Sequence, residues 1–326
     1  MRMLARRIGL YIITAAVAIT INFFLPRLMP GNPALAVIGK AQVTESKQAI
    51  QALELQYGVE TKTGMWGQYI HYWSGLLHGN LGISLSAYPT PVASLIGAAL
   101  PWTIGLVGVA TVISFVLGTL LGIVAGWRRG SWLDNLLPAM TFFQAAPYFF
   151  VAILAVALFA TRLRLFPQSL SYDTALLNPG WNWAFISNVI DHATLPALTI
   201  VLASVAGWII GMRNMMITTM DEDYVLIAQA KGLPKRQVIR YAARNALLPS
   251  VSGFSLAIGF IVSGALLTEI VFSYQGIGYL LLTSIGSDDY PLIQGIFLII
   301  TFAVLLANLL ADFVYAFLDP RTRQEA

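Results

Sequence analysis

The chain has 326 residues, of which 57% are hydrophobic and only 10% are charged, whereas a typical soluble domain carries about 25% charged residues. It contains no cysteine, which excludes a disulfide framework and a cysteine metal site, and its three histidines form no ligand-spaced pair. The formal net charge is +4, and the placement of the charged residues along the chain fits membrane topology better than nucleic-acid binding.

Apolar runs of about 20 residues, the length that crosses a bilayer core of about 30 Å, recur along the chain. The runs are continuous, without the alternation of barrel strands, which favours helices. We predict an all-α polytopic membrane protein with six transmembrane helices at about residues 8–28, 100–126, 133–160, 195–217, 250–272 and 292–317. The first run is longer than the apolar region of a cleaved signal peptide, so we expect it to remain as a helix.

Lysine and arginine are unevenly distributed between the loops. With both termini in the cytoplasm, 13 of the 19 basic residues fall on the inner side. The predicted organisation is an N-terminus and first helix (1–28), a large external segment (29–99) and a transmembrane core (100–326). Within that core, residues 218–248 form a cytoplasmic loop between the fourth and fifth helices.

Three segments are predicted to lie outside: 29–99, 161–194 and 273–291. The first contains a predicted short amphipathic helix at 44–60 and the aromatic stretch "WGQYIHYWSGLLHG" (66–79), which suits a membrane interface. The glycine-punctuated segment 273–291 is expected to fold back against the protein. These segments either connect and anchor helices or form a docking face for an external partner.

The cytoplasmic loop has the signals of two helices joined by a tight turn. Asp223 lies in a first helical turn, Lys231 lies in the last turn, Gly232 follows it, and Pro234 suits the start of a second helix. Pro249 marks the beginning of the fifth span. This hairpin either rests its cations on anionic headgroups or serves as a lever that another protein moves.

The segment "AQAKGLPKRQVIRYAARNALLP" (228–249) resembles the EAA loop of ABC importer permeases, with Gly232 as the hallmark glycine. Further landmarks follow in the order expected for the first permease of oligopeptide and dipeptide importers. They are "MPGNP" (29–33), "GISLSAYPTPVASLI" (82–96), "LPWT" (100–103), "TEIVF" (268–272), "DDYPLIQG" (288–295) and "NLLADFVYAFLDPRTR" (308–323). The chain departs from the family at Leu226 and Gln229, where basic residues are common, and at "QGIG" (275–278) in place of "PGLG".

The resemblance implies a multi-pass subunit in the plasma or inner membrane of a prokaryote that forms half of a translocation pore. Its implied partners are a second homologous permease, two ABC ATPase subunits, an external substrate-binding protein and the lipid bilayer. The chain lacks GxxxxGK[ST], so ATP and Mg²⁺ are expected on the partner ATPases, with no cofactor and no enzymatic activity in this subunit. Peptides are the implied cargo, and oligosaccharides or nickel complexes are the alternatives within the same group.

The resemblance also assigns residues to two sites. The expected ATPase-coupling residues are Asp223, Tyr224, Ala228, Ala230, Lys231, Gly232, Leu233, Arg244, Asn245 and Pro249. The candidate gate or cargo path comprises Glu269, Gln275, Gly276 and Gly278.

Ionisable residues near the ends of the spans leave another class open. Glu269 and Asp312 could act as proton carriers in an ion-coupled secondary transporter, although structural pairing is the commoner role of such groups at span ends. Asp134 and Arg213 also lie near span ends. A membrane-embedded enzyme is disfavoured because the sequence has no HExxH motif and no Ser/His pair at useful spacing.

Overall fold

The computed structural model describes residues 2–28, 64–137, 139–141, 146–259 and 265–318. The predicted features at 29–33, 44–60 and 319–323 lie outside these residues. The described part is helical, and its extended backbone pairing is a single antiparallel bridge between Ile83 and Pro91. An all-helical chain satisfies its backbone hydrogen bonds internally, as a protein in lipid must.

The helices are numbered in chain order. They are α1 (Arg2–Leu28), α2 (Met65–Leu77), α3 (Val92–Trp127), α4 (Trp132–Asn135), α5 (Tyr148–Arg162), α6 (Trp183–Met220), α7 (Asp223–Ala230), α8 (Lys235–Gly259), α9 (Leu266–Val271), α10 (Ile277–Gly286) and α11 (Tyr290–Leu318). The helices α3 and α5 each contain a π-helical stretch, at Ile104–Gly108 and Val156–Arg162 respectively.

Within the described residues, three helices are long and apolar enough to cross a membrane: Val92–Trp127, Trp183–Met220 and Tyr290–Phe313. They correspond to the second, fourth and sixth predicted spans. A shorter apolar helix at Gly9–Phe24 falls within the first predicted span, and another at Tyr148–Arg162 overlaps the third. These helices support a polytopic membrane protein, and the total of six spans stays a prediction.

The helix boundaries differ from the predicted span boundaries. The helix α3 begins at Val92 and α6 begins at Trp183, 8 and 12 residues before the predicted starts of the second and fourth spans. The first turns of α6 carry polar side chains such as Asn188 and Asp191, so hydropathy places the span start too late, whereas residues 92–99 of α3 are themselves apolar. The third span begins with the separate four-residue helix α4, and Pro147, which has extended backbone (ψ 138°), directly precedes α5.

Packing divides the chain into two compact units, Met1–Trp102 with Gln275–Leu305, and Thr103–Tyr274 with Leu306–Ala326. In the first unit, α1 packs on α2 through aromatic rings. The fully buried Phe23 ring lies 5.2 Å from the ring of Tyr69 and 5.5 Å from that of Tyr72. The Asn22 side-chain amide donates to the Gln294 carbonyl at 2.8 Å, which ties α1 to α11.

The buried Asp289 joins two distant segments of the first unit. One carboxylate oxygen accepts hydrogen bonds from the Ser84 hydroxyl, from the Ser86 amide at 2.9 Å and from the Ser86 hydroxyl at 2.7 Å. The other oxygen accepts the Leu292 amide at 3.2 Å, so the same side chain caps the N-terminus of α11. The carboxylate therefore fixes the turn 82–92 against the beginning of α11.

In the second unit, α3 and α6 approach each other along a face of small residues. A methyl group added at Gly122 would lie 2.6 Å from Met212 Cβ and 2.7 Å from the Ile209 carbonyl oxygen. One at Gly126 would lie 2.5 Å from Met216 Cβ. Glycine is therefore required for this close approach of the two backbones, a common device between helices in lipid.

Candidate functional site

The helix α7 and the start of α8 form the hairpin in which most of the expected coupling residues lie. Glu222 has extended backbone and directly precedes α7, and Asp223 supplies a carboxylate to the first turn. Val225 is fully buried and Ala228 is 9% exposed, so α7 packs through one narrow face. Its eight residues are too few to form a stable helix alone, and this packing holds them helical.

The turn after α7 is a Schellman motif. The Gly232 amide donates to the Gln229 carbonyl at 2.9 Å, and the Leu233 amide donates to the Ala228 carbonyl at 3.2 Å. Gly232 has φ +72°, in the left-handed region that glycine adopts without steric strain. The predicted role of Gly232 as the residue that closes this helix is confirmed by this backbone geometry.

The second half of the hairpin differs from the predicted short helix. The helix α8 begins at Lys235, directly after Pro234, and continues to Gly259 with Pro249 in its interior. The second helix of the hairpin is therefore not short, because it continues through Pro249 into the predicted fifth span. Proline removes one backbone donor, a loss that neighbouring groups in a membrane helix can offset, so the ladder continues on both sides.

A small apolar core supports the hairpin. It combines residues from α6, α7 and α8: Met212, Met216, Val225, Val238, Ala242, Ala243 and Ala246, with Trp127, Leu233 and others packed around it. Met212 and Met216 are at most 1% exposed and also face the glycines of α3. The hairpin is therefore anchored to the long helix α6 and, through it, to α3.

The expected coupling residues fall into two groups. Ala228 and Leu233 pack inward. The remaining expected residues are exposed: Asp223, Tyr224, Ala230, Lys231, Gly232, Arg244, Asn245 and Pro249. The expected coupling residues do not include Ile227, although its side chain is 54% exposed beside Tyr224 (41%) and Leu226 (49%). The sequence of α7 contains more apolar residues than the two that its buried face accommodates, and this excess could have indicated an exposed apolar face.

Two ion pairs join the turn after α3 to the end of α6. Arg213 Nε donates to Asp134 Oδ1 at 2.9 Å, and an Arg129 guanidinium nitrogen lies 3.5 Å from an Asp221 carboxylate oxygen. Asp134 precedes the apolar helix α5 and lies outside it. The Gly130 amide donates to the other carboxylate oxygen of Asp134 at 2.9 Å. The sequence marks Asp134 and Arg213 separately as charged residues near span ends and does not indicate that they pair.

The candidate gate residues lie in different units. In the second unit, Glu269 is fully buried in α9, which packs against α5 and α6, and its carbonyl accepts the Tyr274 amide at 2.8 Å. Burial, and then the Glu269 carboxylate, raise the pKa of Tyr274. In the first unit, Gln275 is half-buried, Gly276 directly precedes α10, and Gly278 is buried within α10.

Gly276 does not need to be glycine for backbone reasons, because its φ of −90° and ψ of −172° are open to any residue. Asp312, the second acid of the proton-carrier alternative, is half-buried in α11.

Comparisons with known proteins give one consistent result. Residues 118–324 match the family described as "Binding-protein-dependent transport system inner membrane component". The chain is 33% identical to a putative peptide permease protein of Brucella suis biovar 1, with 94% of each chain covered. It is 31% identical to the probable D,D-dipeptide transport system permease protein DdpB of Escherichia coli K12, covering 96% of this chain and 94% of that protein. It is 30% identical to the dipeptide transport system permease protein DppB of the same strain, covering 100% and 99%.

Proposed function

This chain belongs to the binding-protein-dependent transport system inner membrane component family, and on that premise we propose that it is half of the pore of an ATP-driven peptide importer. The relatives are named as peptide and dipeptide permease proteins, which supports a transport subunit. In the proposed assembly it pairs with a second homologous permease and two ATPase subunits. ATP and Mg²⁺ bind to those ATPases.

The observation that carries this proposal is the exposed apolar face of α7. Val225 and Ala228 attach the helix to its core, while Tyr224, Leu226 and Ile227 remain exposed on a helix of mainly apolar residues. Exposed apolar patches of this kind mark interaction surfaces. We assign this face to an ATPase subunit because the hairpin carries the EAA-like sequence ending at Pro249.

Gly232 and Pro234 define the turn that joins α7 to α8. The Schellman turn at Gly232 fixes the angle between α7 and α8, and α8 continues without a break to Gly259. A displacement of α7 by the ATPase would therefore be passed directly to the fifth span. In this proposal, apolar packing at Leu226 takes the place of the basic residue that the resemblance to the EAA loop leads us to expect there.

The proposed cargo is a peptide delivered by an external substrate-binding protein. This assignment rests on the names of the relatives, which refer to peptides and dipeptides. Oligosaccharides and nickel complexes are the alternative cargoes of the same architecture. Glu269 in the second unit and, separately, Gln275, Gly276 and Gly278 in the first unit stay candidate gate or cargo-path residues.

The proposed location is the cell membrane of a prokaryote, with both termini in the cytoplasm. The three long apolar helices and the shorter ones support a multi-pass arrangement. The proposed orientation rests on the excess of basic residues in the segments assigned to the inner side.

Co-purification tests the proposed assembly. We would express the chain with its candidate permease and ATPase partners, isolate it through a tag on this chain, and measure ATP hydrolysis. The proposal predicts a complex that hydrolyses ATP, whereas the chain alone does not. Recovery of a functional transporter that contains no ATPase would overturn it and favour an ion-coupled carrier.

A further inference from the structure

The ion pair between Arg213 and Asp134 lies beside the base of the coupling hairpin. The Arg213 side chain is 28% exposed and that of Asp134 is 11% exposed, so the pair is largely shielded from water. The two residues are 79 positions apart in the chain. Shielding strengthens the hydrogen bond compared with one at the open surface.

Asp134 also holds its own segment together. Its second carboxylate oxygen accepts the Gly130 amide at 2.9 Å, and its amide donates to the Ser131 hydroxyl oxygen at 3.4 Å. These bonds make residues 130–134 one folded turn, with Gly130 at φ +76°. A force on the Asp134 carboxylate is therefore shared by the whole turn.

A second contact joins the same turn to the root of α7. Arg129 donates to the Ile217 carbonyl at 3.1 Å, near the C-terminal end of α6, and lies 3.5 Å from Asp221. Asp221 stands two residues before the start of α7. Both side chains of the Arg129–Asp221 pair are well exposed (49% and 72%), so this pair contributes less than the shielded one.

Close packing of the α3 and α6 backbones at Gly126 adds a further contact beside the ion pair. A methyl group at Gly126 would lie 3.0 Å from the Arg213 carbonyl oxygen and 2.5 Å from Met216 Cβ. Met216 belongs to the apolar core under α7 and α8. The end of α3, the Arg213 region of α6 and the hairpin are therefore in continuous contact.

We propose that Arg213 and Asp134 are positioning residues that make the segment 128–135 move together with the coupling hairpin. The pair would thus pass the ATPase-driven displacement to the beginning of the third span in addition to the fifth. This inference rests on the proposed function, because the displacement originates in the ATPase subunits.

Spin-label distance measurement tests the inference without knowledge of the cargo. The chain has no cysteine, so Trp132→Cys and Gln237→Cys place one label on the turn segment and one at the start of α8, both at exposed positions. The complete complex is measured without nucleotide and after trapping with ATP and vanadate. With Arg213 intact, the two states should give the same distance distribution.

Arg213→Gln removes the charge and the Nε donor. We expect its distribution to broaden, with a mean that differs between the two states by about 2 Å, the size of a helix shift at an interface. Arg213→Lys, which keeps a cation beside Asp134, should restore part of the narrow distribution. Arg128→Gln is the matched control, because it removes an exposed cation of the same turn. It should behave like the parent.

Asp134→Asn provides a second variant if Arg213→Gln does not fold. It keeps an oxygen for the Gly130 amide and loses the charge that faces Arg213. Unchanged distributions in a folded complex carrying either variant would overturn the inference. A parent chain that recovers no ATPase would overturn the proposed function itself, so the two failures are distinguishable.

Discussion

Asp289 accepts a hydrogen bond from the hydroxyl of Ser84, which lies 205 positions earlier in the chain, and both residues are fully buried. Ser84 belongs to the stretch 82–96 and Asp289 to the stretch 288–295, two landmarks of the family resemblance. Their contact explains in physical terms why the chain carries a serine in the first stretch and an aspartate in the second. One carboxylate caps α11 and holds the turn 82–92 in place.

Asp289→Ala should destabilise the chain. The substitution leaves the buried Ser84 hydroxyl without its acceptor and removes the cap of α11, at a cost of about 2–3 kcal/mol. Thermal unfolding of the purified chain in detergent measures the effect. The neighbouring Asp288→Asn is the control, because Asn tolerates the φ of +53° at this position. Equal unfolding temperatures for the two variants would show that the Asp289 contacts do not stabilise the fold.

Glycine-to-alanine substitutions at Gly122 in α3 and Gly211 in α6 should change the stability of the chain in opposite directions. Gly122→Ala places a methyl group 2.6 Å from Met212 Cβ, so it should destabilise by about 1–3 kcal/mol. Gly211→Ala, on the exposed side of α6, meets nothing within 4 Å and should stabilise the helix by roughly 0.5–1 kcal/mol. Thermal unfolding again provides the measurement. A stable Gly122→Ala variant would mean that α3 and α6 can move apart at no cost.

Substitutions at Gly232 distinguish the effect of backbone strain on stability from the effect of an added side chain on a contact with an ATPase subunit. A side chain there meets nothing within 4 Å in the isolated chain, so the strain comes from φ +72° alone. Gly232→Val should cost about 1–2 kcal/mol, whereas Gly232→Asn should cost less because Asn adopts this conformation more readily. If the turn contacts an ATPase subunit, Gly232→Asn should still reduce transport. Full transport by both variants would count against a role for this turn in coupling.

The exposed face of α7 should be required for assembly. Leu226→Asp should lower ATPase recovery in co-purification by about tenfold, because a carboxylate replaces an apolar contact at a protein interface. The chain should remain folded, since the Leu226 side chain is 49% exposed. Leu176→Asp, at an 81% exposed position in the predicted external segment 161–194, is the matched control. Equal recovery with both variants would place the ATPase contact elsewhere.

Local signals predicted the local parts of the site. The helix α7, whose last residue is Ala230, and the left-handed Gly232 follow from residue preferences within a few positions, whereas Lys231, predicted for the last turn, stands at the C-cap one residue beyond it. The long helices were also predictable, because apolar runs of spanning length are unambiguous. The continuation of α8 through Pro249 was not predicted, since one missing backbone donor does not end a membrane helix when neighbouring groups offset its loss.

Contacts between distant residues were not predictable from the sequence. Asp134 and Arg213 stand 79 positions apart, and their pairing depends on how closely α3 and α6 pack at Gly122 and Gly126. The same holds for Ser84 and Asp289. Each residue was visible as a polar group, but its partner is fixed by tertiary packing and not by sequence spacing.

Uptake by proteoliposomes tests the central claim most directly. The complete complex is reconstituted with ATP inside or outside the vesicles, the external binding protein is supplied on the other side, and a mixture of radiolabelled dipeptides is the probe. The account predicts uptake that requires ATP on the ATPase side and persists when a protonophore dissipates the proton gradient. Uptake that proceeds without ATP and collapses with the protonophore would contradict it.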